Sequence, residues 1–557
     1  MTTLTGTAGP AMRRARGSVH PRRDGLTGVS LALWIACAFF VFLPLGAILV
    51  LAVGGSQFGM LLDGDVVEAA TNSLVSAVAS ALLAVLIGAG FAILFDRTDL
   101  PGRRPLRLLA LTPLLMPPFV GAIAWLGVAG PTSPVNLWWR ETFGAPLWSI
   151  YGADGVIFLL TVHSYPLAMI IVAAALRRVP SDLEQAARIA GASPARALFA
   201  VTLPLLRPAL LSSFLLIAVG NLADFGIPSI IGLPERFVTL ATLVYRYLQS
   251  GTVDDPLAVV AAIGVVLLVL AIGALLLNML IGRRGGELDA SSAPPQVLVL
   301  GRARAVTGIV VWALVLIITV LPLLALLVQA LLRAPGVPLV SENLTLDHLV
   351  RALTTQTALD GAKNSVMLAV LAAVICGVLG LGIGVLSTRT SLRGSRALGG
   401  AAMLPQAIPG IVIAVAWLII APRIGLFNTP WLILAAYVTS FTALVVQAVN
   451  APLASTPSSA EEAARVSGAG RVRALFDISC RMALPAALSG AVIVAVTAVR
   501  ELTLSVLLLS PGSQTLGVAI FSFQQAGAFS TAAAWSLIVA IVGIAVIGFA
   551  TRRPADT

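Results

Sequence analysis

Twelve apolar runs, each about 20 residues or longer, leave this chain no way to fold except across a hydrocarbon core of about 30 Å. They lie near 29–53, 72–95, 108–129, 154–176, 209–231 and 257–281, then near 305–332, 364–388, 398–420, 431–451, 487–509 and 532–550. Charged residues fill only 11% of 557 positions and mean hydropathy is +1.00, so the chain cannot cover the surface of a soluble globule. The expected fold is an all-α polytopic membrane protein with about 12 transmembrane helices.

Arginine placement sets the orientation. The N-terminal arm carries Arg13, Arg14, Arg16, Arg22 and Arg23, and alternate loops continue with Arg97, Arg103, Arg104 and Arg107, then Arg177, Arg178, Arg188, Arg196 and Arg207, then Arg283, Arg284, Arg302 and Arg304. Cytoplasmic loops retain such an excess, so both termini are expected in the cytoplasm. The same topology accounts for the net charge of +11 and leaves no reason to expect a nucleic-acid partner. The first run, at 25 residues, is longer than a cleavable signal and reads as an uncleaved helix. Cys37 and Cys376 fall inside runs and Cys480 in a cytoplasmic loop, which argues against a disulfide framework.

The second half repeats the first. Asn72-Ser73, Arg97-Thr98, Pro113, Pro117 and Ala124-Trp125 return 292 residues later as Asn364-Ser365, Arg389-Thr390, Pro405, Pro409 and Ala416-Trp417. Further on, Ser181, Glu184 and Gly191 return after 277 residues as Ser458, Glu461 and Gly468, so the second copy has lost 15 residues, most simply from the loop that spans Pro131 to Asp154 in the first. The expected organisation is a cytoplasmic arm over 1–28, a six-helix domain over 29–281, a linker over 282–304, a second six-helix domain over 305–550 and a cytoplasmic tail over 551–557. Two parallel repeats create a pseudo-two-fold axis along the membrane normal, and a solute path is expected near it. Gly285-Gly286, Ser291-Ser292 and Pro294-Pro295 make the linker read as flexible.

After the fourth run of each half comes a polar segment. Ser181 with Glu184, and Ser458 with Glu461, match the S-x-x-E capping box that opens a helix. Gly191 and Gly468 suit its end, and Ser193-Pro194 suits a new start. A short helix, a glycine elbow and a second helix returning to the membrane at Pro208 or Pro485 are expected. Such a surface either faces a partner or lies at the lipid headgroups.

These segments resemble the signature loop of ABC importer permeases with the type I transmembrane fold, which reads E-A-A, three residues, Gly, nine residues, I-x-L-P. The first copy has Gln185-Ala186-Ala187, Gly191 and Val201-Thr202-Leu203-Pro204, and the second has Glu462-Ala463-Ala464, Gly468 and Ile478-Ser479-Cys480-Arg481. The first therefore departs at the initial Glu, with Glu184 beside it, and the second departs at Leu-Pro. The resemblance implies that Glu184, Gln185, Ala186, Ala187 and Gly191, with Glu461, Glu462, Ala463, Ala464 and Gly468, form two helices that dock, unequally, on two copies of an ATP-binding subunit. It also implies an extracytoplasmic solute-binding protein, a bacterial inner membrane, and ATP with Mg held by the partner rather than by this chain, which binds no cofactor.

No Walker A motif is present: Lys363, in Ala362-Lys363-Asn364, lacks the Gly before it and the Ser or Thr after it that phosphate and Mg²⁺ binding require. His20, His163 and His348 are scattered, so neither a catalytic nor a metal centre is expected, and His163 reads as a packed residue of the fourth helix. Charges inside runs mark the candidate path, because each costs about 2.5 to 3.5 kcal/mol at the bilayer centre. Asp224 and Glu501 are 277 apart, in predicted helices five and eleven, 16 residues past Pro208 and Pro485. Pairing of Glu501 with Arg500 or with a neighbouring helix end is the structural alternative. Asp224-Phe225-Gly226 and Arg500-Glu501-Leu502, with Thr239-Leu240 and Thr515-Leu516, resemble the ferric-iron group of these permeases. Thiamine, 2-aminoethylphosphonate and polyamine permeases are close in form. Pro113, Pro117, Pro118, Pro405 and Pro409 predict interruptions of helices three and nine. The rival class is a secondary transporter of the major facilitator type, whose loop motif Asp96-Arg97 and Gly102-Arg103-Arg104 imitate with spacing three residues too long. That reading leaves the two polar segments unexplained.

Overall fold

The computed structural model of the chain describes residues 25–54, 57–251, 255–284 and 298–550. Most of the expected arm (1–24), the central linker (285–297) and the tail (551–557) lie outside the described residues. Among the described residues helix is the only extended regular element, accompanied by two isolated β-bridges.

Nine helices among them are long and apolar enough to cross a membrane: Gly25–Gly54, Gly64–Arg97, Ala153–Leu176, Pro194–Leu222, Pro256–Ile281, Gly301–Leu331, Gln356–Arg389, Pro430–Ser455 and Arg471–Val499. Two bent apolar pairs, Arg103–Leu115 with Pro118–Phe143 at 106° and Ser395–Ala407 with Gly410–Ile424 at 105°, bring the count to 11 if each is one span, against the expected 12 or so. With the shorter apolar helix Phe529–Ala545, each predicted run is occupied, and the spans are numbered below in chain order. The bends of the third and ninth spans fall at Pro117-Pro118 and Pro409, where the residues before proline, Met116 and Ile408, are extended at ψ 141° and 130°. Proline removes a helical donor and disfavours the α conformation in the residue preceding it.

Two predicted boundaries change. The helix after each elbow does not return separately at Pro208 or Pro485; it is continuous with the span, starting at Pro194 or Arg471 and passing through a widened π-turn over Leu198–Thr202 or Leu475–Cys480. The fifth and eleventh spans then end at Leu222 and Val499, short of the expected 231 and 509. Asp224 and Glu501 are therefore not inside helices five and eleven but in the turns just beyond them.

Burial identifies the centre of each half. The most apolar windows of the fourth and tenth spans are 67% and 72% buried, whereas those of the first and seventh are each 28% buried and leave apolar faces for lipid. Glycine permits the closest approach: a Cβ at Gly88 would lie 2.6 Å from the Tyr165 carbonyl, and one at its equivalent, Gly380, 2.5 Å from Val445. Small residues of this kind let membrane helices pack backbone to backbone.

The first span of each half packs on the other half. Leu26, Leu33, Cys37 and Val41 join a buried cluster with Ile383, Leu386, Leu398 and Val446. Reciprocally, Val311 and Val315 of the seventh span pack among Phe91, Phe95, Leu106 and Ala110. The Trp312 indole lies against Gly102 and the Trp34 indole against Gly394, each glycine having positive φ (73° and 87°). The described end of the linker is ordered against the first half: Leu298 N donates to the Arg97 carbonyl at 2.7 Å and Leu300 N to Asp99 Oδ1 at 2.9 Å.

Candidate functional site

The two polar helices, Ser181–Ile189 and Ser459–Val466, end in the same way. Gly191 (φ 91°) and Gly468 (φ 94°) are left-handed, and the next residues close the helices, Ala192 N donating to the Ala187 carbonyl at 2.9 Å and Ala469 N to the Ala464 carbonyl at 3.0 Å. This is the Schellman geometry that glycine adopts without a Cβ penalty. Ser193 caps the following helix, accepting from Arg196 N at 3.2 Å.

The expected capping box does not form in the second half, and in the first the N-cap shifts by one residue. Pro180 occupies the first N-cap without a side-chain bond, and Ser458 at the second donates to Glu462 Oε1 at 2.8 Å instead of accepting from the helix start. Glu184 and Glu461 turn inward because each meets a buried arginine. Arg97 Nη1 lies 3.2 Å from Glu184 Oε2, with side chains 3% and 9% exposed, and Arg389 Nε lies 3.3 Å from Glu461 Oε1. Thr202 donates to Glu184, and Ser479 to Glu461 at 2.7 Å. A charge-assisted pair shielded from water outweighs a solvent-exposed cap.

The two widened turns share a buried hydroxyl. In the first half Pro204 lacks an N–H and would disturb a regular helix, but Arg481 stands at the matching position of the second half and the turn persists. What the copies share is Thr202 or Ser479 in that turn, buried against a glutamate. Both arginines and both hydroxyls obey the repeat offsets of 292 and 277, a signal that counting arginines for topology alone overlooks.

The other elbow residues face outward or sit at the edge: Ala186, Glu462 and Ala463 are exposed, and Gln185, Ala187 and Ala464 are half-buried. Between them and the glycines stand Ile189 and Val466, equivalent apolar residues that are 88% and 89% exposed. Sequence reasoning did not single them out.

At the far end of the fifth and eleventh spans, Asp224 and Glu501 act alike. Asp224 Oδ1 accepts from Ile227 N at 2.9 Å, and the Glu501 carboxylate accepts from Leu504 N at 2.8 Å and Ser505 N at 3.2 Å. Each caps the helical turn that follows the break, and a carboxylate is the favoured group at such an N-terminus. Arg500 does not turn to Glu501 for this. Its Nη2 donates to the carbonyls of Leu114 (3.1 Å) and Met116 (3.4 Å), which the bend of the third span leaves unpaired, so it joins the halves. His163 lies against the Pro113 carbonyl and near Arg500.

Phe225 meets Tyr245 at 5.1 Å and Phe521 at 5.7 Å between ring centroids, and Tyr245 meets Phe521 at 6.1 Å. Tyr245 and Phe521 occupy matching places in the short helices Leu240–Ser250 and Leu516–Gln525, so their contact lies beside the pseudo-two-fold axis. Those helices are pinned by the repeated Asn-Ser pairs: Leu240 N donates to Ser73 Oγ at 2.7 Å and Leu516 N to Ser365 Oγ at 2.8 Å. Thr239 and Thr515 are their N-caps.

The family described as binding-protein-dependent transport system inner membrane component matches this chain over residues 84–286 and again over 377–553. The chain belongs to this family. It is a duplicated type I permease in a single chain, a transport subunit of the inner membrane rather than an enzyme, which sets aside the major facilitator reading. The ferric transport system permease protein FbpB of Actinobacillus pleuropneumoniae is 24% identical over 553 residues, covering 96% of this chain and 79% of its own length. The Fe(3+)-transport system permease protein FbpB 2 of Haemophilus influenzae is 23% identical over 495 residues, 85% of this chain and 87% of its own. The molybdenum transport system permease protein ModB of Mycobacterium bovis is 31% identical over 257 residues, 46% of this chain and 94% of its own.

Proposed function

We propose that this permease forms the path of an ATP-driven, binding-protein-dependent importer and that its cargo is ferric iron. The observation that carries the coupling role is the pair of matching elbows, each exposing an apolar residue, Ile189 or Val466, while a buried arginine–glutamate pair ties it to the spans. Two ATP-binding subunits dock there on the cytoplasmic side, holding the ATP and Mg. Displacement of an elbow passes through Glu184 to Arg97 in the second span and Thr202 in the fifth, and through Glu461 to Arg389 and Ser479 in the other half. The rings of Phe225, Tyr245 and Phe521 close the axis at the opposite end, where an extracytoplasmic binding protein delivers solute. In this reading Asp224, Arg500 and Glu501 hold the gate in shape instead of gripping cargo.

Iron is supported by relatives named for ferric transport that match across both halves, whereas ModB spans about half of this chain. Molybdate is the second reading, favoured by the higher identity of ModB. The test is ATP-dependent uptake of radiolabelled ferric iron or molybdate by proteoliposomes holding the permease, its ATP-binding subunit and its binding protein. Iron uptake is expected; molybdate uptake in its place overturns the cargo, and transport without the ATP-binding subunit overturns the importer.

A further inference from the structure

Residues 298–304, which lead into the seventh span, pair with the end of the second. Leu298 N donates to the Arg97 carbonyl at 2.7 Å and Asp99 N returns a bond to the Leu298 carbonyl at 3.3 Å, a parallel bridge across Thr98. Leu300 N donates to Asp99 Oδ1 at 2.9 Å, and Arg304 Nε to the Asp99 carbonyl at 2.9 Å. The residue at the centre of this pairing is the one that anchors the first elbow: the Arg97 side chain lies 3.2 Å from Glu184 and donates to the Leu176 carbonyl at 3.1 Å. Arg97 therefore holds the elbow by its guanidinium and residues 298–304 by its carbonyl. Leu298 also lines the small space behind the elbow, together with Glu184, Ala197 and Leu198.

The seventh span, Gly301–Leu331, starts within this pairing and is fastened to the second half at its other end. There Thr345 N donates to the Leu331 carbonyl at 2.7 Å, and Arg333 N to the Asn343 carbonyl at 3.0 Å, both partners standing just before the eighth span. A rigid helix hydrogen-bonded at both ends is the kind of element that carries energetic coupling between distant sites. We propose that residues 298–304 are a strap that carries displacement of the first elbow into the second half through the seventh span, staying paired with Arg97 and Asp99 as it does so. The inference rests on the coupling role proposed above for the elbows.

The test uses proteoliposomes holding the full permease with its ATP-binding subunit and binding protein, and reads cargo imported per ATP hydrolysed. The probe is radiolabelled ferric iron or molybdate, whichever the unaltered protein imports. Two glycines inserted between Leu300 and Gly301, combined with Arg304→Ala, leave the Leu298 and Leu300 bonds in place but slacken their joint with the seventh span. Leu298→Pro acts from the other side, removing the donor to the Arg97 carbonyl. Each is expected to lower the ratio about threefold or more, and Leu298→Pro decides should the insertion variant not reach the membrane. A protease cut introduced within 285–297 leaves the strap joined to the seventh span and is expected to keep the unaltered ratio. An unaltered ratio in either variant, or an equal loss from the cut alone, overturns the strap and leaves the importer standing. Absence of ATP-dependent uptake by the unaltered protein overturns the importer, and the strap with it.

Discussion

No heavy atom outside their immediate neighbours lies within 4 Å of where a Cβ would stand on Gly191 or Gly468, so space does not select glycine there; the left-handed backbone does. Alanine at either position would cost about 1 to 2 kcal/mol locally and favour a different elbow. Gly191→Ala and Gly468→Ala are expected to insert normally while transporting less solute per ATP hydrolysed in proteoliposomes. Unchanged stoichiometry in both variants would remove the elbows from the coupling path. Asp224 permits a separate test of charge against shape. Asparagine keeps an oxygen for Ile227 N, whereas alanine removes the cap at a cost of about 1 kcal/mol. Asp224→Asn should therefore transport near the unaltered rate, and Asp224→Ala should melt at a lower temperature. A folded Asp224→Asn protein that transports nothing would mean that the charge itself acts on cargo.

The anchoring unit of each elbow draws on three elements: the end of the second or eighth span, the polar helix and the widened turn. Removing one member of a buried ion pair strands the other, typically at about 3 to 5 kcal/mol. Arg97→Ala is expected to fall in that range. Arg389→Ala should cost less, because Arg97 donates both to Glu184 and to the Leu176 carbonyl whereas among the described residues Arg389 Nη2 has no hydrogen-bond partner to lose. Thermal unfolding of the two variants side by side measures the difference, and equal losses would contradict it. The polar helices themselves, their glycine ends and the proline bends were legible in the sequence. The inward turn of the glutamates was not, because S-x-x-E suits a capping box equally well and the competing Arg97 stands 87 residues away from Glu184.

Across the whole molecule, the pseudo-two-fold axis brings Tyr245 against Phe521, and Phe225 fills the space between them. Their matching positions put the proposed closure at a symmetric contact. Phe225→Ala combined with Phe521→Ala is expected to leak solute through proteoliposomes without ATP, and a tight double variant would place the barrier elsewhere. The exchange of first spans makes the halves interdependent, since Leu33 and Val41 complete the second half while Val311 and Val315 complete the first. By itself the sequence determined the membrane environment, the positions of the apolar runs, the duplication, the proline bends and the glycine elbows. These follow from local composition, periodicity and backbone sterics. Only the tertiary structure decided that Glu184 and Glu461 face inward, that Asp224 and Glu501 cap turns beyond their spans, that Arg500 ties one half to the broken helix of the other, and that each first span lies on the opposite half. The inward glutamates, the Arg500 tie and the exchanged spans turn on competition among partners distant in sequence. The two caps turn on where a helix gives way inside the packed bundle, which apolar composition on both sides of the break conceals.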